Sequence, residues 1–268
     1  MQVHGVDFSG AARAGEKIWL ASATDDGETL RVESVRSAAE AFGPDRETAH
    51  AGLREFVGSR DTDEAVGLDC SFGLPRGVHD ADSWPAFVEW FAEAFDSPDA
   101  LQGDLAERTK RRTGGERTYL KRRTDARTGA RSPYHWLVGT QTFYGIRDII
   151  APLADCVSIE PLAPRAEAAS LLEIYPASTL RALDLPSQRY KNDATYPEAP
   201  ARRETILDGL REWGVVLDEE LDAIVLNDSG GDALDSVVAA VAVARAARDD
   251  FEVRDRDAYD PVEGYIYV

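Results

Sequence analysis

Residues 65–72 read Ala-Val-Gly-Leu-Asp-Cys-Ser-Phe, a run almost uniformly apolar up to Asp69. So short and apolar a run suits a strand buried on both faces at the centre of a sheet, which requires further layers on either side. The flanking sequence supplies candidates for those layers. Ahead of the run, residues 2–8, 17–24 and 29–35 have strand character and are punctuated by Gly15 and the Asp25–Asp26–Gly27 cluster, so three antiparallel strands are expected. Pro44 and Asp45 then open a segment with Ala49, Leu53, Phe56 and Val57 on one helical face, closed by Gly58. After the run, Ser83 caps a helix in which Trp84, Phe87, Val88, Phe91 and Phe95 recur at helical spacing. Residues 169–175 restore a strand that Pro176 ends. Helices follow at about 201–213, stopped by Gly214, at about 218–226, and from Asp232 to about Arg248, and the closing Gly-Tyr-Ile-Tyr-Val can return to the sheet edge.

The chain has 268 residues and nothing resembling a long linker, so one domain, 1–268, with an insertion at about 76–150, is the economical expectation. A hydrophobic fraction of 43% and five tryptophans exclude wholesale disorder. No apolar run approaches the roughly 20 residues of a membrane-spanning helix, so no membrane partner is expected and the cytoplasm is the default location. Cys70 and Cys156 are too few for a disulfide framework or a thiolate metal site, and His4, His50, His79 and His135 lack metal-ligand spacing. The net charge of −19 is spread along the chain rather than gathered in a tail. That distribution suits a halophilic, high-salt interior, where self-repulsion is screened within about 3 Å at 1 M.

The acids that interrupt apolar segments are the candidate chemistry. Asp7 follows Val6 in the first strand and precedes Ser9–Gly10; Asp69 stands near the end of the fourth; Glu173 lies within the later strand. Asp232 and Asp235 are three residues apart, on one face of a helix's first turn. Carboxylates in apolar strands are costly unless paired or metal-bound, and neither Asp7 nor Asp69 has a basic sequence neighbour. A single aspartate at a strand end is ordinarily a turn former, and Asp232 can serve merely as a helix cap, so the set carries weight jointly. Oxygen ligands from several segments suit Mg2+ or Mn2+, and a pair of such ions hydrolyses phosphodiesters.

Gly-Val-Asp-Phe-Ser-Gly-Ala at the start, Gly-Leu-Asp-Cys-Ser-Phe-Gly-Leu-Pro, Leu-Leu-Glu-Ile-Tyr-Pro-Ala-Ser, Asp-Ala-Leu-Asp-Ser-Val-Val and the closing Glu-Gly-Tyr-Ile resemble the family known as domain of unknown function 429. Its members are predicted nucleases related to ribonuclease H and the RuvC-type junction resolvases. The resemblance implies a ribonuclease-H-like α/β fold: a mixed five-stranded sheet flanked by helices, with a helical basic insertion after the fourth strand. It further implies Asp7, Asp69, Glu173 and Asp235 as the catalytic set, and Asp7, Asp69, Asp232 and Asp235 as metal ligands. Asp69 is a departure, since the resolvases carry glutamate at the comparable place.

Residues 108–131 hold ten of the 30 lysines and arginines against only Glu116 and Asp125, a concentration that points to an anionic partner. Lys110, Arg111, Arg112, Arg117, Lys121, Arg122 and Arg123, with Arg108, Arg127 and, further on, Lys191, are candidates to clamp nucleic-acid phosphates, and Tyr119, Tyr134 and Trp136 to stack on unpaired bases. Arg202 and Arg203 read as a solvated helix face. The insertion can instead dock on the acidic body or on a second subunit, and a junction enzyme is expected as a homodimer. Two other functions compete: an ATP-binding phosphotransferase or ATPase of the actin and sugar-kinase type, with Ser229–Gly230–Gly231 as a second phosphate loop, and a nucleic-acid-binding protein without catalysis.

Overall fold

The computed structural model describes all 268 residues. The chain opens with an antiparallel meander of β1 (Gln2–Asp7), β2 (Trp19–Asp25) and β3 (Leu30–Ser37), with a 3-10 turn at Ala14–Glu16. Ser37 closes the meander with a capping box on the short α1 (Ala38–Ala41), and the Asp45 side chain caps α2 (Arg46–Gly58). The apolar run becomes β4 (Glu64–Leu68), parallel to β1. Four helices follow: α3 (Trp84–Ala94), capped by Ser83, α4 (Pro98–Arg112), capped by Ser97, α5 (Arg123–Thr128) and α6 (Gly139–Tyr144). The last runs through a π-helical stretch at Gly145–Ile150 into α7 (Ala151–Leu153). β5 (Ser158–Glu160) and β6 (Ser170–Glu173) precede α8 (Pro176–Ala182), α9 (Ala199–Trp213), β7 (Val215–Val216), α10 (Glu219–Asn227) and α11 (Asp232–Ala247).

The sheet is mixed and seven-stranded, in the order β5-β6-β4-β1-β2-β3-β7. The expected five strands are present in their expected places, so the count is corrected by β5 and β7, of three and two residues, one at each edge. The C-terminal Gly-Tyr-Ile-Tyr-Val contributes a single parallel bridge, Ile174 to Tyr267.

Strand alternation divides the core into two layers. Val6, Phe8, Val66, Leu68, Cys70 and Leu171 face one side, where Trp84, Phe87, Phe91, Phe143 and Ile146 pack on them. The segment expected as an insertion therefore builds much of one core layer, together with Ala49, Leu53 and Val57 of α2. Val3, Ala65, Leu172 and Ile174 face the other side, covered by α11. Thirteen of the sixteen α11 residues are buried, so this helix lies within the protein rather than along its surface.

Two glycines let it come so close. Gly5 and Gly67 are register partners in β1 and β4. A Cβ on Gly5 would stand 2.1 Å from the Ser236 carbonyl oxygen and 2.2 Å from the Ala240 nitrogen, and one on Gly67 would stand 2.5 Å from Val243 Cγ2. The small residues of α11 thus rest on a flat backbone platform. That contact sets the height of the first turn of α11 above the strand ends.

Candidate functional site

Asp7 ends β1, and Asp69 follows β4 by one residue, its amide still bonded to the Val6 carbonyl at 3.0 Å. Both continue the face of Gly5 and Gly67, the side on which α11 lies. Gly231, at φ 70, turns the chain into α11, and Asp228 caps it by accepting from the Ala233 amide at 2.9 Å. Asp232 is therefore a first-turn residue rather than the cap, and it and Asp235 stand at the positive end of the helix dipole. From the opposite layer, Gln141 of α6 donates through Nε2 to the carbonyls of Phe8 at 2.9 Å and Asp69 at 2.5 Å, tying the two strand ends together.

These groups line one cleft of about 600 Å³, whose walls include Asp7, Asp69, Glu173, Asp232 and Asp235 together with Lys17, Arg122, Arg131 and Lys191. The acids do not all meet at one point. Lys191 Nζ lies 2.6 Å from Asp235 Oδ2, 3.0 Å from Asp232 Oδ1 and 3.8 Å from Asp7 Oδ2. Asp69 lines the same cleft beside them. The Tyr190 hydroxyl donates to Asp235 Oδ1 at 2.8 Å.

Lys191 was expected as a phosphate contact at the mouth of the site. It stands inside, as the spatial partner that sequence neighbours did not provide for Asp7.

Crowding shows in the acid–base balance. Asp69 is pushed up to about 8, first by desolvation and then by the negative charge of Asp235. Desolvation likewise raises Asp7 well above the usual carboxylate range and raises Asp235, with Lys191 opposing both shifts. For Lys191, burial works against the charged form, but Asp235, Asp7 and Asp232 outweigh it and hold the ammonium charged.

Glu173 lines the cleft but stands apart from the other acids. In the parallel register it pairs with Leu68, so its side chain faces the layer opposite Asp7 and Asp69. There Arg122 donates to Glu173 Oε1 through NH2 at 2.5 Å and to Oε2 through NH1 at 2.8 Å, and the Phe72 amide donates to Oε2 at 3.0 Å. Arg122 also binds Asp125 at 2.7 Å and donates to the Glu263 carbonyl at 3.0 Å. The closing Glu-Gly-Tyr-Ile has a structural task at this point. Gly264 takes φ 107, and a Cβ there would lie 3.1 Å from both Arg122 NH1 and Glu173 Oε2. Arg122, 1% exposed, is therefore no phosphate clamp but the counter-charge of a buried carboxylate pair.

The other basic candidates are placed differently. Lys110, Arg111 and Arg112 are exposed in the last turn of α4, favourable to its dipole, with Lys110 paired to Glu107 at 2.7 Å. Arg117, Lys121 and Arg123 are exposed on the segment leading to the cleft wall at Arg131. Arg108 is half-buried, its NH1 donating to the Val78 carbonyl, and Arg127 pairs with Asp255. Tyr134 is buried, with its hydroxyl engaged by Thr109 and the Leu120 amide, which corrects its expected stacking role. Trp136 is 64% exposed, beside the cleft-lining Leu137.

Arg203, expected on a solvated face, is also buried. It donates to the carbonyls of Leu226 and Tyr190 and to both oxygens of Asp193, bracing the loop that carries Lys191.

The carboxylates form an oxygen-only donor set of the kind a hard cation takes. No three acidic, histidine or cysteine side chains stand ready as a metal site, and the ammonium of Lys191 stands among Asp7, Asp232 and Asp235. The Lys191 ammonium is itself a cation held by this donor set, the charge complement that a divalent ion would also supply. Compared with family models, curated proteins and solved structures, the chain matches none.

Proposed function

We propose that the protein is a metal-dependent nuclease of the ribonuclease-H-like type, related to the family of domain of unknown function 429, hydrolysing nucleic-acid phosphodiesters. The observation that carries this reading is the convergence of carboxylates from the ends of the two central parallel strands and from the last helix in a single cleft. Within it Asp7, Asp69 and Asp235 are the ligands, and Asp232 is a further ligand or an orienting group. Mg2+ or Mn2+ held there would activate water and stabilise the leaving oxygen. The order of β3, β2, β1, β4 and β6, antiparallel then parallel, further supports the architecture.

The protein's own groups have definable tasks. Gln141 fixes the two strand ends, and so the separation of Asp7 from Asp69. Tyr190 orients Asp235. Arg131 and Lys17 offer positive charge on the cleft wall, against acids that would otherwise repel a phosphate. Ser229–Gly230–Gly231 suits a phosphate loop poorly, because Asp228 and Asp232 face Gly230 while Lys191 and Tyr190 cover Gly231.

The test is cleavage of junction, RNA–DNA hybrid and single-stranded substrates with Mg2+ or Mn2+ across a range of salt, with Asp7→Asn as control. Divalent-dependent cleavage that the variant loses by several orders of magnitude is expected. Absence of cleavage, or equal activity in Asp7→Asn, removes the nuclease reading.

A further inference from the structure

We propose that Lys191 is a built-in counter-ion: it holds the carboxylates of Asp7, Asp232 and Asp235 together until a divalent ion displaces it, and then swings outward to bind a substrate phosphate. The inference rests on the metal-dependent reading above and concerns how that site is loaded.

Three features distinguish this lysine from an ordinary surface ion pair. The first is that its ammonium meets three carboxylates from two elements, β1 and α11, at 2.6, 3.0 and 3.8 Å, so one cation gathers them all. The second is the backbone that carries it. Arg189 and Asn192, at φ 58 and 65, are both left-handed non-glycine residues, and they flank Tyr190–Lys191. Such conformations persist when the surroundings enforce them. Here Arg203, 1% exposed, holds the Tyr190 carbonyl and the Asp193 carboxylate, and the Asn192 amide donates to the Ser229 carbonyl at 2.7 Å. The loop is braced from beneath to present Lys191 at this point.

The third is that the side chain retains a way out. Lys191 is 38% exposed along its side chain and lines the open cleft, while Asp235 is 5% exposed. The backbone is fixed and the side chain can rotate.

Electrostatics make the two cations mutually exclusive. An ammonium and a divalent ion within a few ångströms in a partly desolvated site repel strongly, so one must leave as the other enters. The departing ammonium stays tethered to the cleft, where a phosphodiester brings the negative charge it has lost. Metal binding and substrate binding then favour each other, and the coupling is reciprocal.

The experiment uses the full chain, stripped of metal, as wild type, Lys191→Met, Lys191→Gln and Asp235→Asn. Mn2+ affinity is measured by calorimetry and melting is followed in EDTA. Both Lys191 variants are expected to melt at lower temperature in EDTA, to recover with Mn2+, and to bind Mn2+ about tenfold or more tightly than wild type. Mn2+ is expected to strengthen wild-type binding of a phosphorothioate-protected DNA oligonucleotide and to leave that of Lys191→Met little changed. Mn2+ binding that is unchanged or weaker in both Lys191 variants overturns the counter-ion role while leaving the metal site standing. Equal oligonucleotide coupling in wild type and Lys191→Met overturns the hand-over to phosphate. Absence of Mn2+ binding in all four proteins, or equal binding in Asp235→Asn, overturns the metal-dependent reading and this proposal with it.

Discussion

At the scale of single residues, what decides a carboxylate's role is the face it occupies. Glu173 ends β6 and Asp69 follows the neighbouring parallel β4, yet their side chains leave opposite faces of the sheet, and Glu173 finds Arg122. Removing one partner of such a buried group leaves uncompensated charge, so Arg122→Met is expected to destabilise the protein by about 3–5 kcal/mol, read from denaturant unfolding. A loss below about 1 kcal/mol would show that Glu173 and Asp125 are better solvated than their burial indicates. His4 gives a pH signature of its own. Burial lowers its pKa, although Glu64, bonded to Nε2 at 2.7 Å, pulls the other way. A folded-state pKa below the unfolded one means that the unfolded chain binds more protons, so this stability is present above about 6.5 and is lost as pH falls through the folded value. Wild-type unfolding free energy is expected to fall from pH 7 to 5 more steeply than that of His4→Gln, by at most about 1.4 kcal/mol per pH unit. Identical slopes would remove His4 as the cause. Asp7, Asp69, Asp232 and Asp235 stood out in the sequence because acids interrupt apolar segments there. The Arg122–Glu173 pair did not, because its members are 51 residues apart and Arg122 sits among nine other basic residues in one segment.

At the scale of elements, the site depends on how closely α11 approaches the sheet. The two platform glycines differ in what a methyl group would meet. At Gly5 it strikes α11 backbone at Ser236 and Ala240, which cannot yield without moving the helix; at Gly67 it strikes the Val243 and Ile174 side chains, which can rotate. Gly5→Ala is therefore expected to cost about 3 kcal/mol or more, and Gly67→Ala less, in paired denaturation curves. Lifting α11 also draws Asp235 away from Asp7, so Gly5→Ala is expected to weaken Mn2+ binding more than Gly67→Ala does. A reversed order would mean that the helix is free to slide and that the platform does not set the site. Most of this architecture was legible from period and punctuation: Ser83, Asp45 and Gly214 marked real ends, and β1 to β4 and β6 fell where alternation and apolar runs placed them. β5 and β7 were not legible, because three and two residues are too few to establish a period. Nor did the spacing in residues 76–150 reveal that their helices join α2 in a core layer, since an amphipathic helix reads the same whether it covers the central sheet or a separate lobe.

At the scale of the whole molecule, two opposed charge distributions predict opposite responses to salt. The chain carries −19 overall, while residues 108–131 carry ten basic groups against two acids. Self-repulsion of the acidic body opposes folding and is screened as ionic strength rises, so unfolding free energy is expected to increase between 0.1 and 2 M KCl. Phosphate binding moves the other way, because each neutralised phosphate releases counter-ions; for a single strand the logarithm of affinity falls with a slope of about −0.7 per contact. The basic groups available for such contacts are the exposed ones, Arg111, Arg117 and Arg123 among them, and not the buried Arg122. The triple change of those three to glutamine is therefore expected to lower affinity for an oligonucleotide across all sequences and to flatten the salt slope by about 2, while moving the melting temperature little. Arg122→Met should do the reverse, harming stability and leaving the slope unchanged. If the triple variant keeps the wild-type slope, the basic segment serves the acidic body or a second subunit instead, and the cleft must draw nucleic acid by Arg131, Lys17 and the displaced Lys191 alone.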